Sequence, residues 1–287
     1  MDAKILIIAV VAIVAIGGGV AAFLMLGNGS DSNDSDYTLL DSNDNIKKGL
    51  TIELTGKYSG GSMESKYVVD SVSGGKVGYS EKAVAKNVPA GSTITLANFY
   101  PDKFSFDYTD ESDIPEGVEV KHDGDTYKIT GEQKDTSYGE RTVVFDLSIK
   151  YADDEVTAVN GSMEMIQKDG SSIYEMKYKF EMSGDKLKVT GDTKQEDTDE
   201  CDVDDYYSRA MTDFDMDDYK GAQVTSKDGK YGGVDVKIYT VNGTVDNYEY
   251  KDVKIYVYKD YVLKQEGKIV MGDETYDATM TTKVYQA

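Results

Sequence analysis

The sequence predicts a mainly β protein: an N-terminal transmembrane helix followed by an antiparallel β-meander ectodomain. The ectodomain reads as two similar units of about 110 residues, forming one large curved sheet or two sandwich- or barrel-like halves, with one or two short helices. Three observations predict this. Residues 5–26, ILIIAVVAIVAIGGGVAAFLML, carry no charged side chain. From Leu50 onward apolar and polar residues alternate with a period of two. A stretch that reads LTIELTGKYSGGSMESKY at residues 50–67 returns as GSMEMIQKDGSSIYEMKY at residues 161–178.

Residues 1–4 form a short tail, and the apolar run after it is long enough as a helix to cross a hydrocarbon core of about 30 Å. A cleaved secretory signal is the competing reading. Its apolar region is shorter, usually about 7 to 15 residues, and no Ala-x-Ala site follows the run, so a retained anchor is favoured. A lipoprotein would need Cys at the end of the apolar region, and the single Cys is Cys201. Lys4 precedes the helix, whereas Lys47 and Lys48 come only after five Asp residues. That asymmetry places the N-terminus in the cytoplasm and the rest outside, at the cell membrane.

Residues 27–45, GNGSDSNDSDYTLLDSNDN, read as a flexible acidic linker. Asn28, Asn33, Asn160 and Asn242 each begin an N-x-S/T triplet, so they are candidate glycan acceptors, with turn-forming Asn-Gly as the competing role for Asn160 and Asn242.

Residues 46–160 are the first β unit and residues 161–287 the second, which ends in a further hairpin. Strands are read from Val143, Phe145, Leu147, Ile149 and Tyr151, from Tyr174 to Met182, and from Val253, Ile255 and Val257. Turns are expected at His122–Asp125, Lys168–Ser171, Ser183–Asp185 and Lys227–Lys230. A helix is expected over Asp202–Phe214, capped by Asp202, and a shorter one over Ser80–Lys86.

Between the two stretches Glu53, Lys57, Glu64, Lys66 and Tyr67 fall on Glu164, Lys168, Glu175, Lys177 and Tyr178. Ser137–Leu147 matches Asn247–Val257 at an offset of 110, and Phe106-Asp107 matches Phe214-Asp215 at 108. A third, shorter copy of the hairpin runs from Gly267 through Tyr276. These spacings predict a duplicated β-meander.

Chemistry is harder to find. The net charge of -22, from 53 acidic and 31 basic residues, opposes nucleic acid as a partner. His122, the only His, falls in an expected turn, and Cys201 lies among acids that disfavour its thiolate. Val72–Lys76 lacks the spacing of a phosphate loop, and with so many acids no carboxylate pair is diagnostic, so no enzyme is predicted. Asp213, Asp215, Asp217 and Asp218 are weak metal candidates because they offer oxygen at alternating positions. They depart from a helix-loop-helix calcium loop at Asp218, where Gly is needed, and at Val224, where a bidentate Glu belongs.

The sequence therefore predicts an interaction or structural protein of the cell surface. Its partners are the lipid bilayer, through the N-terminal helix, and an envelope or extracellular protein. One alternative is a carrier that holds lipid or another apolar molecule against Met163, Met165, Met176, Tyr178, Phe180 and Met182. A second is a calcium-dependent surface binding module.

Overall fold

The structure, a computed structural model, describes residues 35–58, 61–89, 94–135, 140–245, 248–271 and 274–287. The apolar run at residues 5–26 and the acceptors Asn28 and Asn33 lie outside the described residues. Among the described residues, no helix is long and apolar enough to cross a membrane.

The alternation read from the sequence becomes fourteen strands. They are β1 (Leu50–Tyr58), β2 (Gly61–Ser73), β3 (Lys76–Pro89), β4 (Val118–Asp123), β5 (Thr126–Asp135), β6 (Glu140–Ala152) and β7 (Glu155–Asp169). After these come β8 (Ser172–Ser183), β9 (Lys186–Asp202), β10 (Gln223–Tyr231), β11 (Val234–Val245), β12 (Tyr248–Tyr258), β13 (Tyr261–Met271) and β14 (Glu274–Gln286). All belong to one large antiparallel sheet in the order β10-β11-β12-β13-β14-β1-β2-β3-β9-β8-β7-β6-β5-β4.

Two compact units divide this sheet, one of residues 85–195 and the other of residues 35–84 with 196–287. The boundary expected at 160/161 falls instead inside β7, and the chain passes between units along β3 and β9. In the first unit the connection after β3 carries Phe99, Phe104, Phe106 and Tyr108 onto the sheet, with Phe99 against Phe180 at 5.0 Å and Phe106 against Phe145 at 5.6 Å. The Tyr108 hydroxyl donates to the Phe99 carbonyl at 2.8 Å, which satisfies the one polar atom of a buried ring. The second unit repeats the arrangement with the connection after β9. There Tyr206, Tyr207 and Met211 are buried, and Phe214 stacks on Tyr239 at 4.2 Å.

The recurring stretch has a structural counterpart. Ile52 pairs with Tyr67 and Glu53 with Lys66 across β1 and β2, while Met163 pairs with Tyr178 and Glu164 with Lys177 across β7 and β8. Both Lys-Glu pairs close at 3.2 Å. The hairpins β6–β7 and β12–β13 also correspond, but the expected offset of 110 is corrected to 106. Their two-residue turns, Asp153-Asp154 and Lys259-Asp260, all have positive φ, between 47° and 68°. Gly161 (φ 114°) in β7 matches Gly267 (φ 155°) in β13, each pressed against the neighbouring strand at Asp146 or at Asp252-Val253. A period-two pattern looks alike under any even shift, so only the kinks and turns fix the offset.

Several other expectations are corrected. Ser80–Lys86 lies within β3, because Val77 and Tyr79 alternate into the core and strand pairing overrides local helical propensity. In the Asp202–Phe214 window a 3-10 turn at Val203–Asp205 leads into one short helix, α1 (Tyr206–Ala210). Asp202 makes no cap bond and pairs with Lys76 at 2.9 Å. The helix stops because Thr212–Phe214 bonds to the β12–β13 turn, with Phe214 N–H donating to Asp260 O at 2.7 Å and Val262 N–H to Thr212 O at 2.8 Å. Lys227–Lys230 is strand, and the turn lies at Gly232-Gly233. Asn160-Gly161 and Asn242-Gly243 are mid-strand as well, not turns.

The expected linker is not free over its second half. Tyr37 and Leu40 are buried, Asp36 N–H donates to Val284 O at 2.7 Å, and the Tyr37 hydroxyl donates to Thr282 O at 2.6 Å. Three apolar residues in this polar stretch, Tyr37, Leu39 and Leu40, with Ile46 just after it, explain the docking, since each packs into or against the core of the second unit.

Candidate functional site

The four candidate metal ligands share one connection but not one site. Asp213 forms an isolated bridge with Tyr261, and although the residue is exposed, partial desolvation of its carboxyl and then the charge of Asp260 push it above the ordinary range. Asp215 caps the 3-10 turn Met216–Tyr219, accepting from the Asp217 amide at 2.8 Å. Asp217 pairs with Lys220 at 2.8 Å. Asp218 is exposed on the same turn. Asp107 repeats the Asp215 motif by accepting from the Thr109 amide at 2.8 Å, so the Phe-Asp pair that recurs in the sequence is a turn-capping device in both units. Among the described residues, no group of three or more His, Cys, Asp or Glu is arranged to hold a metal ion. The acid that sits with Asp213 is Asp260. Its only sequence signal is the Lys259-Asp260 break between two alternating runs.

A second cluster, unremarked in the sequence, gathers on β2, β3, β9 and α1. The Tyr67 hydroxyl donates to Glu81 at 3.1 Å and the Tyr79 hydroxyl to Asp199 at 3.2 Å. Arg209 of α1 reaches the same Asp199 carboxylate at 3.5 Å. Burial pushes the Glu81 carboxyl up, against the Tyr67 hydrogen bond, and Asp197 and Asp199 add to the rise. Burial and the Asp199 charge push Tyr79 up to about 12. Beside them Tyr206 is fully buried, with its ring 5.7 Å from Tyr79, and burial raises the thiol of buried Cys201. These groups are neutral hydroxyls and thiol around paired acids, a poor arrangement for nucleophilic attack.

The apolar face considered for a greasy ligand is filled by the chain itself. Met165, Met176, Tyr178 and Phe180 are buried under the connection that bears Phe99 and Phe104, and Met163 packs at the edge of the same cluster. Met182 is half-buried. On the second unit Lys264 occupies an aromatic box of its own, 5.7 Å from the Tyr231 ring and 5.5 Å from Tyr256, with Glu266 at 3.1 Å. Asn160 and Asn242 both use their side-chain oxygens, accepting from the amides of Met182 at 3.2 Å and Asp252 at 2.8 Å. His122, next to last in β4, is exposed and stacked on Tyr127 at 4.5 Å.

The class defined by these features is a mainly β protein with one large antiparallel sheet. No family model, curated protein or solved structure matches the chain.

Proposed function

We propose that this chain is a membrane-anchored, extracytoplasmic β protein with an interaction or structural role and no catalysis. The observation that carries the reading is the self-filled architecture. In each unit the connection after a long strand lays aromatic side chains over the apolar sheet surface, which favours a presenting scaffold over a carrier or an enzyme cleft. Tethering is supported by the apolar run at residues 5–26 and by the docking of residues 35–46 onto β14 and α1. Tyr207 donates to Leu39 O at 2.8 Å and Tyr258 to Asp41 at 2.6 Å, so a load on the N-terminal segment passes into the folded sheet. Protease added to intact cells tests the reading. Release of a fragment beginning beyond residue 26 is the expected result, and protection until the membrane is breached removes it.

A further inference from the structure

We infer that the free edge of β4 is a self-association surface, where a second copy of this chain adds an antiparallel strand across a two-fold axis through Val120. Among the described residues the hydrogen-bonded sheet ends at β4. Gly117 O accepts from Glu132 N–H at 3.0 Å, and Asp123 and Thr126 flank a two-residue turn, so the odd-numbered residues of β4 bond to β5. The backbone groups of Val118, Val120 and His122 therefore point away from the sheet. Pro115 O takes the Val118 N–H at 3.1 Å, which among the described residues leaves Val118 O and both groups of Val120 and His122 for a partner. An exposed edge of this kind is a template for strand addition.

Charge and strand length together select the register: an axis at His122 would also set Lys121 opposite Asp123, but it puts Val120 against Gly124 of the turn, beyond the strand. Only registers that set outward groups opposite outward groups can bond, so opposed residues must share parity. With the axis at Val120, Glu119 of each copy stands opposite Lys121 of the other on the exposed face, and Val118 stands opposite His122. Glu119 and Lys121 already pair within the strand at 3.0 Å, and across the axis they form a ring of four alternating charges. Four backbone hydrogen bonds close the interface: two between the Val120 residues and one from each His122 N–H to Val118 O. Moving the axis to Glu119 or to Lys121 puts like charges against each other. At the other end of the sheet, β10 lacks this complementarity at its midpoint, where Lys227 would face itself. The interface is small, so the association is weak in solution and strengthens where tethering concentrates the chain. It does not depend on which side of a membrane the chain occupies.

Sedimentation of the full chain in detergent micelles, at concentrations up to about 1 mM, tests this with Glu119→Lys, Lys121→Glu, the double exchange, and Val120→Pro. Val120→Pro removes an outward N–H and leaves the β5 ladder intact. The wild type is expected to dimerise. Each single reversal and Val120→Pro should raise the dissociation constant about tenfold or more, and the double exchange should return it to within about twofold of wild type. A wild type that stays monomeric overturns the inference. So does a dimer indifferent to all four variants, which would place the contact elsewhere, and so does a double exchange no tighter than the single reversals.

Discussion

At Gly161 the backbone adopts φ 114° in mid-strand, and any Cβ there would strike the carbonyl of Asp146 on β6. Gly161→Ala is therefore expected to cost about 3 kcal/mol or more in chemical denaturation, because β6 must give way. Gly74, also at positive φ (59°) but in a turn with open space around it, gives a control: Gly74→Ala should cost only about 1 kcal/mol. Asp213 makes a prediction of opposite sign. Its folded carboxyl binds a proton more readily than the unfolded one, so the ionised group lowers stability at neutral pH, and that loss is relieved as pH falls through the raised value. Asp213→Asn should raise the melting temperature at pH 7, with the difference closing toward pH 3. Equal melting curves across that range would remove the Asp213–Asp260 repulsion from the account.

Among the elements, the docked segment at residues 35–46 is the most exposed to a mutational test. Tyr37→Phe removes the buried hydroxyl bond to Thr282 O and should cost about 1 to 2 kcal/mol. Tyr37→Ala also empties the ring's site and should cost about 3 to 5 kcal/mol. Loss of protection from proteolysis near Leu39 would accompany both. Strands were legible in the sequence wherever one face is buried and the other wet, as in β8 and β12, since burial itself writes the period of two. Ser80–Lys86 was not, because its helix-forming residues are overruled by pairing that leaves no local trace. The docked segment was obscured by its own composition: Asp, Ser and Asn signal a linker, and four apolar residues among them decide otherwise. For the candidate site, adjacency misled. Asp213, Asp215 and Asp217 are close in sequence, but a bridge, a cap and an ion pair divide them, and the acid beside Asp213 comes from a turn 47 positions later.

At the scale of the whole molecule, a net charge of -22 makes self-repulsion a general term in stability. Sodium, magnesium and calcium salts matched for ionic strength should raise the melting temperature to similar extents, by screening. A calcium-selective rise abolished by Asp215→Asn with Asp217→Asn would instead assign a bound ion to the connection before β10. The same charge keeps copies apart, so added salt should also favour the β4 pairing. The central claim is the proposed placement, in which the folded β protein is held at a membrane with its bulk outside. A membrane-impermeant amine reagent applied to intact cells tests it most directly, through exposed lysines such as Lys121 and Lys230. The account predicts that both are modified on intact cells to the same extent as in opened ones. Modification only after the membrane is opened would contradict it.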